Sequence, residues 1–442
     1  DGNFSLKAPA GSKLVITYLG YSTVEVNAGE GIKVTMKPDT EVLNEVVVTA
    51  LGIKKEAKSL SYNVQQLGGD AVTKVQDANF VNSLNGKVAG VQFSQSSAGA
   101  GSAMRGIKSI NGNNGALYVI DGVPMPNLQS SQESTMYGGA GSTGDSAADI
   151  NPNDIESISV LSGPSAAALY GSAAANGVIM ITTPSGQRGK AKVSYSGAYT
   201  IAQATGMFDT MNAEQYTEFK NLGVSNTAAR VTDKGFYDKY KYDLMYDSKG
   251  NVLSTDWTDL LFQTGNIMNH DINVSGGSED MSYYISTGIM DQDGITVGDE
   301  FKRYSFKANT NFKMNEWLKG GFNGSYSNTQ QKNVDGGYGD GLYSINGFSR
   351  MAAILPPNIP AFNEDGTAYM DNGQYLGYGN NKIGCTYYNP MSYIDEQASR
   401  MENNRIIASG FLEANPIKGL SLKSQYGIDW FITNSTTMYS PN

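Results

Sequence analysis

The sequence has very little of the chemistry on which enzymes and metalloproteins depend. Its 442 residues include one cysteine, Cys385, and one histidine, His270. A single cysteine excludes an intrachain disulfide, and its loop-like neighbourhood indicates an incidental thiol. A single histidine without a cysteine or carboxylate cluster makes a poor metal site, and no nucleophile-elbow motif is present. We therefore expect no catalytic residue, no metal, no cofactor and no enzyme activity.

Long apolar runs and basic stripes are also missing. The longest purely apolar runs, such as residues 178–181, fall far short of the roughly 20 residues that a membrane-spanning helix needs. The formal net charge is −10, and no basic stripe interleaved with aromatic residues occurs, which argues against a nucleic-acid partner. Glycine (52 residues) and tyrosine (27 residues) are abundant, and both suit a transmembrane β-barrel.

From residue 190 onwards the sequence alternates apolar and polar residues in seven segments. These segments are residues 190–202, 265–276, 281–291, 301–314, 318–330, 400–414 and 420–433. In the fourth segment Tyr304 and Phe306 share one face, whereas Lys307 and Asn309 share the other. A strand with one face in lipid and the other in water needs this period of two residues. The pattern predicts the first part of an outer-membrane β-barrel.

The connections between these segments alternate in length. Residues 276–280, 314–317 and 415–419 are tight turns, whereas residues 203–264 and 331–399 are long and polar. Outer-membrane barrels have short periplasmic turns and longer extracellular loops, so the first strand should run outwards from the periplasm. Seven strands would leave an open edge in lipid, so we expect roughly 15 further strands to follow Asn442.

Residues 53–185 show a compact, mixed pattern. Residues 80–91 predict a short helix that leads into a strand, and Asn176-Gly177 predicts a tight turn before a buried strand at 178–181. Gly139, Gly141 and Gly144 match the dinucleotide fingerprint G-x-G-x-x-G. Because no buried strand precedes that match and no helix follows it, we interpret it as a flexible loop.

The first 58 residues contain short strand-like segments. Weak alternation over residues 1–38 predicts the strands of a small β-sandwich. Residues 46–49, Val-Val-Val-Thr, have high β-propensity but show no hairpin partner next to them in the sequence. Two interpretations stay open: an ordinary strand of the sandwich, or a peptide that adds as a strand to another protein's sheet edge.

Three stretches carry a family resemblance: LNGKVAGVQ at 84–92, LYVIDGVP at 117–124, and NPNDIESISVLSGPSAAALYGSAAANGVIMITT at 151–183. They closely resemble the plug of SusC/RagA-type TonB-dependent transporters. The resemblance covers the whole chain in order and implies a mainly β fold. It assigns residues 1–40 to the C-terminal part of a carboxypeptidase-regulatory-like β-sandwich and 41–58 to a TonB box and linker. Residues 59–186 become an α+β plug domain, and 187–442 the first ~7 strands of an antiparallel transmembrane β-barrel of about 22 strands.

The resemblance also implies a function and partners. Members of this family are energised importers in the outer membrane of Bacteroidota, typically for oligosaccharides and sometimes for oligopeptides. The extension and the TonB box lie in the periplasm, where the TonB C-terminal domain, energised by the inner-membrane ExbB–ExbD complex, binds the box. A SusD-like surface lipoprotein acts as a lid. The oligomeric state is not determined by the sequence, and a dimer of transporter–lid pairs is one alternative. The implied TonB-binding residues are Glu45, Val46, Val47, Val48, Thr49 and Ala50.

The plug and the long loops supply the candidate contacts with substrate and lid. The substrate-binding candidates on the plug are Asn111, Asn113, Asn114 and Tyr137. The length of loops 203–264 and 331–399 makes them the expected contact for the lid. Their tyrosine, asparagine and aspartate residues could stack on sugars and form hydrogen bonds with them. The same residues are equally typical of exposed loops that have no specific role.

Two other function classes remain as alternatives. A TonB-dependent siderophore or cobalamin receptor would share the barrel and the plug, but the plug signature and the N-terminal extension argue against it. A non-transporting adhesin or structural β-protein would leave the plug and the TonB box unexplained. The substrate itself, glycan or peptide, is not determined by these residues.

Overall fold

The computed structural model describes most of the chain, in ranges separated by gaps. The described residues are 12–18, 21–27, 29, 32, 34–35, 46–48, 54–56, 64–74, 79–84, 86–88, 91–96, 99–104, 116–125, 146–161, 166, 168, 170–187, 189–333, 348–370, 376–377, 379–381, 389–392, 394 and 399–437. Several residues singled out in the sequence lie outside these ranges: Glu45, Thr49, Ala50, Asn111, Asn113, Asn114, Tyr137, Gly139, Gly141, Gly144 and Cys385.

The described secondary structure is mainly β. In chain order the strands are β1 (Lys13–Tyr18), β2 (Tyr21–Asn27), β3 (Val46–Val48), β4 (Lys54–Glu56), β5 (Val64–Gly68), β6 (Val91–Ser96), β7 (Gly99–Met104), β8 (Leu117–Ile120), β9 (Val123–Met125), β10 (Ser157–Leu161), β11 (Val178–Thr182), β12 (Gly189–Ala202), β13 (Gly265–Gly277), β14 (Met281–Asp293), β15 (Glu300–Lys313), β16 (Leu318–Asn333), β17 (Ser399–Ile417) and β18 (Leu420–Thr437).

Helices are few and short. The α-helices are Asp70–Thr73, Ala213–Ala228, Phe236–Tyr240, Trp257–Leu261 and Phe348–Ile354, and the 3-10 turns are Phe80–Leu84, Ser146–Asp149, Pro152–Asp154, Gly171–Ala174, Gly379–Asn381 and Pro390–Ser392. Within the described ranges, none of the helices has both the length and the apolar character to cross a membrane.

Strands β12 to β18 form one antiparallel sheet in which each strand pairs with the next along the chain. We call this sheet the wall. The seven predicted segments are confirmed, and their ends agree with the observed strands to within four residues. Tight turns join β13 to β14, β15 to β16 and β17 to β18, at the three connections where the sequence predicted them.

The two faces of the wall differ in the way that the alternation predicted. In β15, Tyr304 and Phe306 are 44% and 48% exposed on the outer face. On the inner face of the same strand, Arg303 and Lys307 are 2% and 4% exposed. Burial of the charged face and exposure of the apolar face reverse the pattern of a water-soluble sheet. This arrangement suits a wall whose outer face meets lipid.

A second sheet of five strands lies against the inner face of the wall, with the strand order β5-β10-β11-β8-β9. We call it the small sheet. Strands β11 and β8 are parallel, and the other pairs are antiparallel. The predicted turn before β11 is confirmed at Gly177, where φ is +108°. Asp121 and Gly122 join β8 to β9 with φ of +47° and +87°, as a two-residue hairpin turn of type I′ requires.

Apolar side chains cover both faces of the small sheet, which explains its continuous hydrophobic strands. Tyr118, Ile158 and Ile179 belong to the larger core, which also includes Phe80 and, from the wall, Ile407. The opposite face has its own core, formed by Leu117, Val119, Leu161, Ala166, Ala174, Val178 and Met180. A sheet buried on both faces needs surrounding structure, and the wall supplies part of it.

Three short hairpins complete the described strands: β1–β2, β3–β4 and β6–β7. The hairpin of β3 and β4 corrects the sequence prediction, because Val46, Val47 and Val48 pair with Glu56, Lys55 and Lys54. The charged residues of β4 concealed it, since their side chains have low β-propensity. Strand pairing uses backbone N–H and C=O groups, so a charged segment can still pair with an apolar one.

Candidate functional site

The small sheet contacts the wall through residues 146–154, which we call the docking segment. It contains two 3-10 turns, Ser146–Asp149 and Pro152–Asp154. Asn151 caps the second turn, because its side-chain oxygen accepts a hydrogen bond from the Asn153 backbone N–H at 3.0 Å. Pro152 then suits the first position of that turn, where no backbone N–H is needed. These local preferences give the segment a defined shape with its polar side chains against the wall.

The first turn of the docking segment ends at Asp149, which meets a buried arginine of the wall. The Arg405 Nη1 atom lies 3.4 Å from the Asp149 Oδ2 atom. Two other nitrogen atoms of the same guanidinium, Nη2 and Nε, donate to the carboxylate of Asp429, which also belongs to the wall, at 2.5 Å and 2.8 Å. Thr329 Oγ1 donates to Asp149 Oδ1 at 2.8 Å. Burial raises the pKa of Asp149, while Arg405 and Thr329 act in the opposite direction.

A second wall arginine recognises the backbone of the docking segment. The Arg303 Nη1 atom donates to the carbonyl oxygens of Ala148 and Ile150 at 2.9 Å and 3.1 Å. These carbonyls flank Asp149, so Arg303 and Arg405 bind the same turn from two wall strands, β15 and β17. A guanidinium has several donors in a fixed fork, which makes it well suited to holding a turn in one orientation.

The second turn of the docking segment binds Asp271 of β13 through amides. The Nδ2 atoms of Asn151 and Asn153 each donate to one oxygen of the Asp271 carboxylate at 2.5 Å. Asn269 of the wall donates to the same carboxylate at 2.8 Å. Three amide donors thus satisfy a buried carboxylate at this position, in place of a cation.

Asp154 ends the docking segment and faces two hydroxyl groups of β14. Tyr284 donates to Asp154 Oδ1 at 3.0 Å, and Ser286 Oγ donates to the same atom at 2.5 Å. Burial raises the pKa of Asp154, and its hydrogen bond with Ser286 is the largest opposing effect. Asp154 is therefore a carboxyl group that binds a proton more readily than an exposed one, at the boundary between the small sheet and the wall.

The β8–β9 turn makes a separate polar contact with the wall. Asp121 accepts hydrogen bonds from the backbone N–H and the hydroxyl of Thr183, at 3.0 Å and 2.6 Å. Its carboxylate also forms an ion pair of 3.5 Å with Lys307 of β15. Asn309 donates to the Thr183 hydroxyl at 2.9 Å, and Gln425 donates to the Asp121 carbonyl oxygen at 2.9 Å.

Sequence reasoning found one side of this interface and missed the other. The motifs LYVIDGVP and NPND, which carry Asp121 and Asp154, were singled out. Of the wall residues that bind them, Lys307 and Asn309 were assigned only to a polar face, and Arg303, Arg405 and Asp271 were not singled out. Their signal was a set of charged side chains at inner positions of otherwise ordinary strands: Asp271, Arg303, Lys307, Arg405 and Asp429. Such residues are costly to bury without a partner, so their presence on an inner face indicates one.

The two long loops of the wall pack together into one folded layer, which we call the loop layer. Its hydrophobic core combines Trp257 and Leu261 of the first loop with residues of the second, among them Phe348, Ile359 and Leu376. The Trp257 indole N–H donates to the Pro356 carbonyl oxygen at 3.0 Å.

Amide side chains join the two loops at a further position. Asn380 donates to the carbonyl oxygens of Lys239 and Lys241, and Asn381 donates to that of Asp243. The surface of the first loop exposes large apolar side chains, with Phe208 at 83% and Phe219 at 60%. The loop layer is thus a folded unit with its own hydrophobic core and with large apolar side chains on its surface.

The predicted binding residues that can be placed are those of β3. Val46, Val47 and Val48 form a short strand, which pairs with β4 at three register positions. The remaining TonB-binding candidates and all four substrate-binding candidates lie outside the described residues. Their roles stay predictions.

Comparison with known proteins agrees with this architecture. Residues 56–178 match the family model of the TonB-dependent Receptor Plug Domain. This span includes β5 to β10 and the docking segment. The small sheet with its docking segment is therefore a plug.

Similar proteins extend the likeness to the wall. TonB-dependent receptor SusC of Bacteroides thetaiotaomicron is 28% identical over 462 residues, which cover 100% of this chain and 42% of that protein. TonB-dependent receptor P26 of Formosa agariphila is 28% identical over 452 residues, covering 100% of this chain and 41% of that receptor.

A solved structure shows the same fold. The RagAB peptide importer in its open-open state superposes with a TM-score of 0.67 at 27% identity, covering 89% of this chain and 43% of that one. Its closed-closed state gives a TM-score of 0.64 at 26% identity, covering 87% of this chain and 42% of that chain. The chain spans about two fifths of the length of the relatives it matches. With a plug docked against a wall of seven antiparallel strands and this likeness along its whole length, the chain is similar to the SusC/RagA-type TonB-dependent transporters.

Proposed function

We propose that this protein imports oligomeric nutrients across the bacterial outer membrane with energy delivered through TonB. The observation that carries the proposal is a folded plug bound by buried polar side chains to a wall whose outer face is apolar. A plug that closes a membrane pore must be displaced or remodelled before a substrate can pass. The outer membrane holds no energy source of its own, so this work has to come from a partner that reaches the inner membrane.

We propose oligosaccharides as the substrate class, with oligopeptides as the second candidate. The likeness to SusC and the family's typical cargo support the first class. The likeness to RagAB, which is named a peptide importer, supports the second. The described loop layer offers tyrosine and amide side chains that suit either class, so uptake has to decide between them.

We propose that the TonB C-terminal domain, driven by ExbB–ExbD, binds Glu45 to Ala50 by adding a strand to β3. The hairpin of β3 and β4 has only three register pairs. A two-stranded hairpin is marginally stable by itself, so β3 can exchange β4 for another strand at low cost. In this proposal residues 1–40 form the extension, 41–58 the TonB box and linker, 59–186 the plug and 187–442 the barrel strands.

We propose a SusD-like lipoprotein as a lid on the loop layer. The loop layer is a folded platform at the wall end opposite the tight turns, and exposed apolar side chains such as Phe208, Phe219 and Leu222 favour a protein partner. Extraction in mild detergent followed by pull-down should recover the lid in stoichiometric amount. Recovery of the transporter alone would contradict this part of the proposal.

Uptake in cells tests the transport function. A Bacteroidota strain whose own copy is deleted and replaced by the full-length gene is given fluorescent oligosaccharides or fluorescent oligopeptides, with and without a protonophore. We expect energy-dependent uptake of one class. Uptake that persists under the protonophore would contradict TonB-driven import, and energy-dependent uptake of only a ferric siderophore or cobalamin would support the alternative receptor.

A further inference from the structure

Two lysine side chains of the loop layer lie against tyrosine rings. The Lys220 Nζ atom is 5.6 Å from the centre of the Tyr216 ring and 5.1 Å from that of the Tyr242 ring. The Lys239 Nζ atom is 5.2 Å from the centre of the Tyr240 ring. The negative face of an aromatic ring attracts an ammonium group at this distance without neutralising its charge. We call these five residues the lysine–tyrosine patch.

Helical spacing brings the groups of the patch together. Helix Ala213–Ala228 begins at a capping box, and it places Tyr216 and Lys220, four residues apart, on one face. The short helix Phe236–Tyr240 packs the two rings at its ends against each other, with their centres 4.6 Å apart. Local sequence therefore builds each half of the patch, and the fold of the loop brings Tyr242 to Lys220.

The two lysines of the patch have no carboxylate partner within the described part of the chain. There, no carboxylate oxygen lies within 4.0 Å of either Nζ atom. Wall lysines differ in this respect, as Lys302 pairs with Asp291 at 3.1 Å. The nearby Lys241 has Asp238 at 4.0 Å, and both of these side chains are exposed, so their ion pair is weak. The patch thus presents two positive charges that no described ion pair offsets, in a chain with a net charge of −10.

Asparagine side chains fix the backbone that carries the patch. Asn221 accepts a hydrogen bond from the Tyr242 N–H at 2.7 Å and donates to the Tyr242 carbonyl oxygen at 3.0 Å. From the second loop, Asn380 donates to the carbonyl oxygens of Lys239 and Lys241 at 2.7 Å and 3.0 Å. A backbone fixed in this way loses less conformational freedom when a ligand binds, which favours recognition.

A cation beside an aromatic ring matches the chemistry of an acidic sugar. The ring can stack on the C–H face of a pyranose, and the ammonium group can form a charge-assisted hydrogen bond with a carboxylate or sulfate on the same sugar. A neutral oligosaccharide offers only the first of these contacts. The patch provides both at once, since Tyr240 and Lys239 are neighbours and both are exposed.

We propose that the lysine–tyrosine patch binds a negatively charged oligosaccharide, one that carries uronate or sulfate groups, and that this glycan is the cargo. The inference rests on the proposed transport function, and it narrows the substrate class from oligosaccharides in general to acidic ones. The exposed apolar side chains assigned to the lid, Phe208, Phe219 and Leu222, are different residues, so the same loop can contact both lid and glycan.

Binding of matched glycans to the purified full-length transporter tests the charge preference. Two acidic probes, an oligogalacturonate and a sulfated oligosaccharide, are each compared with a neutral counterpart that has the same sugar rings, the methyl ester and the desulfated form. We expect at least one acidic probe to bind at least tenfold more tightly than its counterpart, with an affinity that falls as salt is raised. Equal affinity within both pairs, or binding of neither acidic probe, would overturn the proposal.

Lysine variants place that preference on the patch. K220Q combined with K239Q should lower the affinity for the acidic probe at least tenfold and leave that for the neutral probe unchanged. Arginine at both positions keeps the charges and the ring contacts, so it should retain most of the binding. K249Q is the matched control, because Lys249 is an exposed lysine of the same loop outside the patch, and its affinity should stay within about twofold.

Two readouts separate the patch from other roles. Limited proteolysis within residues 203–264 confirms that the glutamine variant is folded, and pull-down measures its lid. A glutamine variant that loses the lid but binds the acidic probe like the wild type would show a lid contact, and it would overturn the proposal. Energy-dependent uptake of only neutral oligosaccharides or oligopeptides would also overturn it and leave the proposed function standing. Absence of energy-dependent uptake for every class would instead count against the proposed function.

Discussion

Lys307 of the wall and Asp121 of the plug form an ion pair of 3.5 Å, with both side chains largely buried. The two residues are 186 positions apart in sequence, and they join a barrel strand to the tip of a plug hairpin. The pair lies beside Thr183 and Asn309, so a charged contact and hydrogen bonds act at one place. Breaking this ion pair therefore tests how strongly the plug is bound to the wall.

Replacing Lys307 with methionine should weaken docking by about 3 kcal/mol, because Asp121 would remain as a buried carboxylate without its cation. The plug's resistance to limited proteolysis in the purified transporter reports this loss. Adding Asp121→Asn should recover most of it, since neither side chain is then charged. Lys302→Met is the matched control: its partner Asp291 is as exposed as Lys302 itself, and such pairs contribute about 0–1 kcal/mol. Equal loss in both lysine variants would contradict a special role for Lys307.

Mild acid should tighten plug docking. Burial raises the pKa of Asp149 and of Asp154 in the docked plug, whereas an undocked plug in water has ordinary carboxyl pKa values of about 3.9. The docked state then binds protons more readily, so its stability is greatest at low pH and falls as the pH rises through the raised pKa values. Thermal unfolding of the plug, followed from pH 4 to pH 8, measures this slope.

Asp154→Asn isolates the contribution of one carboxyl group to that slope. Asparagine keeps the oxygen that accepts from Tyr284 and Ser286 and remains neutral at every pH. We expect docking within about 1 kcal/mol of the wild type at pH 7 and a shallower pH dependence, with Asp149 and the other buried carboxyl groups of the interface responsible for the remainder. A variant that undocks at pH 7 would show that the ionised carboxylate is required.

Val47→Pro should abolish uptake and leave folding, membrane insertion and substrate binding intact. Proline removes a backbone donor from β3 and fixes φ, which prevents strand addition. Val47→Ile keeps the backbone donor and the β-propensity, so it should be silent. Lys55→Pro distinguishes pairing of β3 with β4 from pairing of β3 with TonB. Lys55 is the register partner of Val47, so this variant disturbs the hairpin and leaves β3 itself unchanged. If the hairpin itself were essential, Lys55→Pro would also abolish uptake; normal uptake by Val47→Pro would rule out the TonB role.

Trp257→Ala should unfold the loop layer without disturbing the wall. The indole is 2% exposed, belongs to the core that joins both loops and donates to the Pro356 carbonyl oxygen. Truncating a buried tryptophan costs about 3–5 kcal/mol, which is enough to separate the loops. Protease cleavage within residues 203–264 and loss of the co-purified lid are the expected results. Phe219→Ala, at an exposed position of the same loop, should leave the loop layer folded and weaken only the lid contact.

The wall could be derived almost entirely from the sequence, because its signal is local. Each strand needs only the alternation of its own side chains, and each tight turn needs only a short polar connection between two strands. The seven strands and the direction of their faces followed from that pattern. The same reasoning reached the strand after Asn176-Gly177, since a turn signal and an apolar run stand side by side.

Local patterns were misleading where pairing did not depend on side chains. Strand β3 was expected to have no neighbouring partner, yet Val47 pairs with Lys55 through backbone groups. Side-chain propensity gives no signal for that pairing. The packing of the two long loops was likewise invisible, because Trp257 and Phe348 are 91 residues apart and belong to segments with no regular period.

Tertiary structure alone decided how the plug meets the wall. The sequence showed that Lys307 and Asn309 share a polar face of β15, and the strand period explains why. Which groups they face depends on the fold, because Asp121 and Thr183 reach them across more than 100 residues of chain. A period of two residues specifies the direction of a side chain, whereas its partner is set by where distant strands come to lie. Docking of the plug is therefore a property of the folded protein, built from residues whose local sequence indicates only that they are polar and face inwards.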